Sequence, residues 1–293
     1  MRTAKTVLTV IQERGKQKKP IERVYKLLFN RELYLNAYAK LYPNNGAMTK
    51  GVTNETVDGM SIQKIDRMIE ILREEKYQWK PARREYIKKK NGKKRPLGIP
   101  VWGDKVLQEV MRQILEAYYE PQFSEHSHGF RPNRGCHTAL QEIQVWKGTR
   151  WFIEGDISQY FDTIDHKILL EILARNIHDG RFIRLVSNML EAGYLEEWKF
   201  KQTISGVPQG GVISPILANI YLNEFDNWIE EVLIPKYTKG KRQKSNPEYN
   251  KLTAEIQKLR KEGDAKTAIS LWLNAEKYLL LIRKMRIIAD CAM

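Results

Sequence analysis

Asp156 is the residue whose surroundings most suggest chemistry. It follows a short apolar run at 151–153 (WFI) that reads as a buried strand, and it precedes Tyr160-Phe161-Asp162 and an apolar helix led by Asp165-His166. A carboxylate at the end of a buried strand costs free energy unless something positive binds it. A divalent metal is one such partner, because Mg²⁺ takes carboxylate oxygens and bridges them to substrate phosphates. The other reading is a helix-capping aspartate in a strand-to-helix turn. Taken alone, the stretch supports both equally.

A second kind of chemistry sits at 84–100, REYIKKKNGKKRPLGIP. Asn91-Gly92 suits a two-residue turn, since both positions tolerate positive φ. The flanks then pair as a hairpin, with Pro96 and Pro100 limiting the ladder. Lys88, Lys89, Lys90, Lys93, Lys94 and Arg95 crowd its tip. Lysines also decorate edge strands to block aggregation, but six cations around one turn exceed that need, and focused charge favours phosphate contact. The later stretch EHSHGFRPNRGCHTAL brings Arg131 and Arg134 to a glycine-bearing loop. Its His126, His128 and His137 lack the cysteine pairs or helical spacing of a zinc site. The loop is read instead as laying guanidinium and backbone N–H groups along a nucleic-acid backbone.

The elements that must position these groups follow from periodicity. Residues 16–19 form a basic linker, 21–42 carry helical spacing, and 43–59 read as an extended loop. Ser61 is placed to cap a helix with Ile62, Ile65, Met68, Ile69 and Leu72 on one stripe. Asp104 is placed to cap a long helix with Val106, Leu107, Val110, Met111, Ile114, Leu115 and Tyr118 inward. After Asp156 come helices at 168–174 and 182–190, a strand at 198–204, and a glycine-rich turn at 205–211. Ser214-Pro215 then opens a helix with Ile216, Leu217, Ile220, Tyr221, Phe225 and Trp228 on its apolar face. A basic, apolar-poor insertion follows Pro235, and 251–286 reads as two charged helices.

With 293 residues and 42% apolar content, the chain suits one large globular domain or two modest ones. Fifty Lys+Arg against 35 Asp+Glu leave a net charge of +15, which draws polyanions, nucleic acid foremost. The longest aliphatic run, 278–282, is too short to span a bilayer, and the N-terminus lacks a signal peptide's apolar core. Cys136 and Cys291 are too few for a disulfide scaffold or zinc cage. These features predict a cytoplasmic protein with no membrane partner.

Together, WFIEGDISQYFDTIDH and SGVPQGGVISPILANIYLNEFD resemble the motifs of reverse transcriptases. With REYIKKKNGKKRPLGIP and HGFRPNRGCHTAL ahead of them, the chain resembles a group II intron reverse transcriptase (maturase) from about Tyr25 to Asp226. That resemblance implies an α+β fold with the fingers–palm architecture of a right-hand polymerase, helix-rich with small antiparallel sheets and an incomplete palm. It implies an N-terminal extension and fingers at 1–150, a partial palm at 151–234, and a basic helical insertion at 235–293. By the same resemblance Asp156 would hold both catalytic Mg²⁺ ions, with the Ile157 carbonyl as a further ligand. Phe161 would sit beneath the incoming sugar and exclude a 2′-hydroxyl, Gln209 would support nucleotide and template, and Lys89 and Arg95 would grip the triphosphate. Lys88 stands where relatives often have proline.

The implied partners are group II intron RNA, a template RNA with its DNA primer, and deoxynucleotides. In the family a second metal-binding pair, Tyr-Ala-Asp-Asp, follows the helical insertion. Here 281–286 is family-like, but Asp290 has no neighbouring Asp, so the two-metal site is expected to be incomplete in this chain. The thumb, the splicing-related X domain and any endonuclease domain are also expected to be missing. The expectation is a chain that binds RNA without polymerising, with strand edges left open to homodimer formation. A stand-alone RNA-binding splicing module, and a retron or CRISPR-associated reverse transcriptase, are the alternatives. The long extension before the hairpin and the basic insertion favour the intron group.

Overall fold

A computed structural model of the chain describes residues 3–88, 92, 94–146, 154–197, 199–201, 203, 205–207, 210–238, 247–264, 267 and 269–271. Helix α1 (Ala4–Lys16) is capped by Thr3, whose hydroxyl accepts from the Thr6 N–H. The helical spacing at 21–42 resolves into β1 (Ile21–Glu22), a 3₁₀ segment (Val24–Phe29) and α2 (Arg31–Leu41), with Asn30 capping the last. Ser61 caps α3 (Ile62–Arg73) as the sequence predicts, at 3.2 Å from the Lys64 nitrogen. Ile65, Met68, Ile69 and Leu72 are buried, but Ile62, in the first turn, stays exposed.

The predicted strands pair antiparallel as β2 (Ala82–Lys88) and β3 (Lys94–Ile99), from Arg83↔Ile99 to Lys88↔Lys94, a register one residue removed from the Lys88–Arg95 pairing that a two-residue turn at Asn91-Gly92 gives. Pro96 lies inside this ladder, which it does not cut short because β3 is the edge of its sheet.

The scaffold of this part of the chain is α4 (Trp102–Tyr119). Its predicted stripe is fully buried from Val106 to Tyr118, and α1 and α2 pack against it. One expectation is corrected here. Asp104 does not cap this helix, which begins two residues earlier behind Val101. Asp104 is instead a buried first-turn residue whose carboxylate accepts from the Tyr77 hydroxyl (2.6 Å) and the Lys80 N–H (3.0 Å). It ties the approach to the hairpin onto α4, and burial pushes its pKa up to about 6.

Further along lie α5 (Cys136–Gln144), the single turn α6 (Tyr160–Thr163), α7 (His166–Asn176), β4 (Ile177–His178) and α8 (Gly180–Glu191). Strand β4 pairs parallel with β1, and Asp179, the cap of α8, also accepts from the Tyr25 N–H. These links hold the N-terminal segment to the later helices. Within the strand predicted at 198–204, β6 (Lys199–Lys201) is present and pairs antiparallel with β5 (Tyr194–Glu196), giving the order β3-β2-β5-β6; residues 198, 202 and 204 lie outside the described residues. Helix α9 (Ser214–Trp228) follows, with Ser214 as its first residue and Pro215 its second, one position later than predicted. The strand predicted at 151–153 lies outside the described residues.

The chain divides into two compact units. One comprises Met1–Ala139 with Ile157–Ile229 and holds the core just described. The other comprises Leu140–Asp156 with Glu230–Met293; its helices include α10 (Ile234–Tyr237) and α11 (Pro247–Lys261). Helix α11 starts four residues before the predicted 251, and the second charged helix falls mostly outside the described residues. Among the described residues, no helix is long and apolar enough to cross a membrane.

Candidate functional site

Three pieces of the first unit converge on one cleft. The first is the hairpin. Alternation along β2 and β3 sends Ile87, Arg95 and Leu97 to the cleft, and Lys88 stands at its rim. Lys88 and Lys94 face each other at the last described pair of the ladder, both exposed. Like charges directly opposite destabilise a strand pair, so this end of the hairpin gains from a bound anion. Lys89, Lys90 and Lys93 lie outside the described residues.

The second piece is α6 with the glycine-rich loop sewn to it. The Val207 N–H donates to the Phe161 carbonyl (2.7 Å), the Gly206 N–H to the Ile164 carbonyl (2.8 Å), and the Ser205 hydroxyl to the Asp162 carbonyl (3.1 Å). Gly206, at φ +88°, approaches so closely that a β-carbon would lie 2.7 Å from the Phe161 oxygen. The Tyr160 hydroxyl anchors the same turn to the Ala218 carbonyl on α9 (2.8 Å), and burial raises its pKa well above the ordinary phenol range. Phe161 is thereby fixed on both sides.

The third piece is the start of α9. Gly210, Gly211, Ser214 and Pro215 line the cleft, so the N-terminal end of a 15-residue helix opens onto it. That end carries positive partial charge and favours anions. Gln108, buried on α4, holds the approach to this helix by accepting from the Val212 N–H (2.9 Å). Together these walls enclose about 680 Å³, with Arg95 and Lys88 on one side, Phe161 on another and the helix end on a third. The chemistry available is anion binding beside an aromatic ring.

The other predicted site residues fall as follows. Gln209 lies outside the described residues. Asp156 is exposed, lies outside any helix or strand, and belongs to the second unit, whereas Ile157, also exposed, begins the returning part of the first. Among the described residues no group of three or more His, Cys, Asp or Glu side chains could hold a metal ion. A two-metal site needs more than one carboxylate position, and the described residues lining this cleft include no carboxylate.

Arg131 requires a correction. It is buried, its guanidinium paired with Glu120 (2.9 Å), donating to the Ser127 carbonyl (2.8 Å), and lying 5.3 Å from the Phe123 ring centroid. A guanidinium enclosed in this way stiffens its loop and does not reach a phosphate. Arg134 is half-buried and donates to the Glu125 carbonyl.

Two contributors escape the sequence reading. Gln108 lies on a helix whose pattern explains only its apolar stripe. Phe130, beside Arg131, stands 72% exposed at the cleft with φ +56° and meets Phe161 edge to face, their centroids 6.4 Å apart at 86°. The signal that could have found it is an aromatic residue inside a loop of Gly, Pro, Asn and Arg, where an apolar side chain has no core to join.

Comparison with known proteins bears on what such a cleft serves. Residues 87–241 match the family model described as reverse transcriptase (RNA-dependent DNA polymerase). The chain is 45% identical over 256 residues to the group II intron-encoded protein LtrA of Lactococcus lactis subsp. cremoris, covering 85% of this chain and 43% of LtrA. It is 41% identical over 234 residues to a putative COX1/OXI3 intron 1 protein of Saccharomyces cerevisiae, covering 79% of this chain and 28% of that protein. It is 37% identical over 281 residues to protein YkfC of Escherichia coli, covering 90% of this chain and 71% of YkfC. The chain thus spans less than half the length of LtrA.

Proposed function

Because the chain belongs to the reverse transcriptase (RNA-dependent DNA polymerase) family, we propose that its cleft receives the incoming deoxynucleotide of RNA-templated DNA synthesis. We further infer that the parent activity is that of a group II intron reverse transcriptase and maturase, acting on intron RNA, a template and a DNA primer. One observation carries the reading: Arg95, Phe161 and the helix end at Ser214, far apart in sequence, line the same cleft. Phosphoryl transfer is mainly positioning plus electrostatic stabilisation. Arg95 and the α9 terminus supply positive charge for a triphosphate, with Lys89 beyond the described hairpin end as its partner. Phe161 supplies the hard floor on which a sugar rests, and its bulk excludes a 2′-hydroxyl.

Magnesium is the metal this chemistry uses in the family. Asp156, with the Ile157 carbonyl, offers one carboxylate position toward it. A second is required to fix two ions about 4 Å apart, and the 293 residues contain no adjacent Asp pair.

The hairpin lysines favour RNA as the macromolecular partner, held through its phosphates. The nucleotide reading is tested by titrating the chain with inorganic tripolyphosphate. Arg95→Ala should weaken binding by about tenfold or more, the scale of one charge-assisted contact. Equal affinity in the two proteins would remove the triphosphate from this cleft.

A further inference from the structure

Phe130 is more exposed than any other large hydrophobic side chain among the described residues, at 72%. An exposed ring gains little from burial and is ordinarily left to move. This one is held. The Gly129 carbonyl before it accepts a hydrogen bond from the Asn219 side chain on α9 (2.8 Å). Arg131 after it is buried and bound to Glu120 and to the Ser127 carbonyl. Phe130 itself sits at φ +56°, a left-handed conformation that a bulky residue adopts only at a free-energy cost. Anchors on both flanks and a disfavoured backbone are thus combined to present an apolar ring to solvent. The ring stands at the cleft, perpendicular to Phe161.

We propose that Phe130 is a stacking platform for the base of the nucleotide bound in this cleft, with Arg131 and Asn219 as its positioning residues. The inference rests on the reading of the cleft given above and adds the part of the ligand that the triphosphate contacts leave unassigned. Phe161 lies under the sugar, and the perpendicular ring of Phe130 offers a second, flat apolar surface where a heteroaromatic base would extend. Such stacking tolerates every base, because each presents a π face. The anchoring matters because a platform that must first be ordered returns less affinity than one already in place.

The test compares deoxyguanosine triphosphate with inorganic tripolyphosphate on the 293-residue chain, by calorimetric titration. Phe130→Asn removes the ring while keeping a residue that tolerates positive φ; Phe130→Trp keeps a ring. The wild type should bind the nucleotide more tightly than tripolyphosphate. Phe130→Asn should lose about tenfold in nucleotide affinity, the scale of one base–aromatic stack, with tripolyphosphate unchanged and the melting temperature preserved. Phe130→Trp should restore the preference. An unchanged nucleotide affinity in Phe130→Asn, or an equal loss for both ligands, would overturn the platform while leaving the triphosphate reading intact. A wild-type chain that binds neither ligand would overturn both.

Discussion

Gly210 lies against Leu97 so closely that a β-carbon on Gly210 would come within 2.7 Å of the Leu97 Cδ1 and 2.6 Å of the Gly98 carbonyl oxygen. The glycine-rich loop and the hairpin therefore touch backbone to backbone at the cleft, and the loop's φ of +103° there suits only glycine. Gly210→Ala must displace one wall from the other. The expected result is a loss of about 1–3 kcal/mol of stability from backbone strain and a clear fall in nucleotide affinity. Gly46→Ala, where a β-carbon meets nothing within 4 Å, is the control and should change neither. Matching behaviour of the two variants in thermal unfolding and titration would contradict the close approach.

RNA binding should depend steeply on salt. If the basic surface meets about five phosphates, the slope of log affinity against log salt is about −3 to −5. Charge reversal of Lys89, Lys93 and Lys94 together should flatten it. A slope unchanged in the triple variant, measured by filter binding across a salt series, would move the RNA contact away from the hairpin.

Asp104 sets a pH dependence of stability whose sign is opposite to that of most carboxylates. Folded, it keeps its proton up to about pH 6; its ordinary value is 3.8. Between those values the folded chain binds more protons than the unfolded one, so this contribution to stability falls as pH rises. It is fully present below about pH 4 and is lost on passing pH 6, with a span of about 3 kcal/mol from the gap between the two values. Asp104→Asn should remove that part of the slope in chemical unfolding at pH 4 to 7. A variant with the wild-type slope would show that burial of Asp104 does not control it.

Much of this architecture is legible in the sequence because the signals are local. Ser61 caps its helix, the flanks of the 89–93 stretch pair as a hairpin, and the stripe from Val106 to Tyr118 is buried as its spacing predicts. The failures arise where tertiary context competes with a local rule. Asp104 has a cap's sequence position, but Tyr77 and Lys80, 27 and 24 residues away, claim its carboxylate. Arg131 has the charge for a phosphate, yet Glu120 and two backbone carbonyls enclose it. At the cleft, the family resemblance pointed to Arg95 and Phe161, which both line it, while Gln108 and Phe130 are placed by long-range geometry that no periodicity encodes. Lys89, Lys90, Lys93 and Gln209 lie outside the described residues, and the structure adds nothing to what the sequence says of them.

The central claim is that a nucleotide occupies the cleft between the hairpin, α6 and the start of α9. Photo-crosslinking of the 293-residue chain with 8-azido-deoxyadenosine triphosphate, followed by peptide mapping, locates the ligand directly. The label should fall on peptides carrying Phe130, Phe161 or the hairpin at Arg95, and excess unmodified deoxynucleotide should compete it away. Competable label confined to α1–α3, or to α11, would contradict the account.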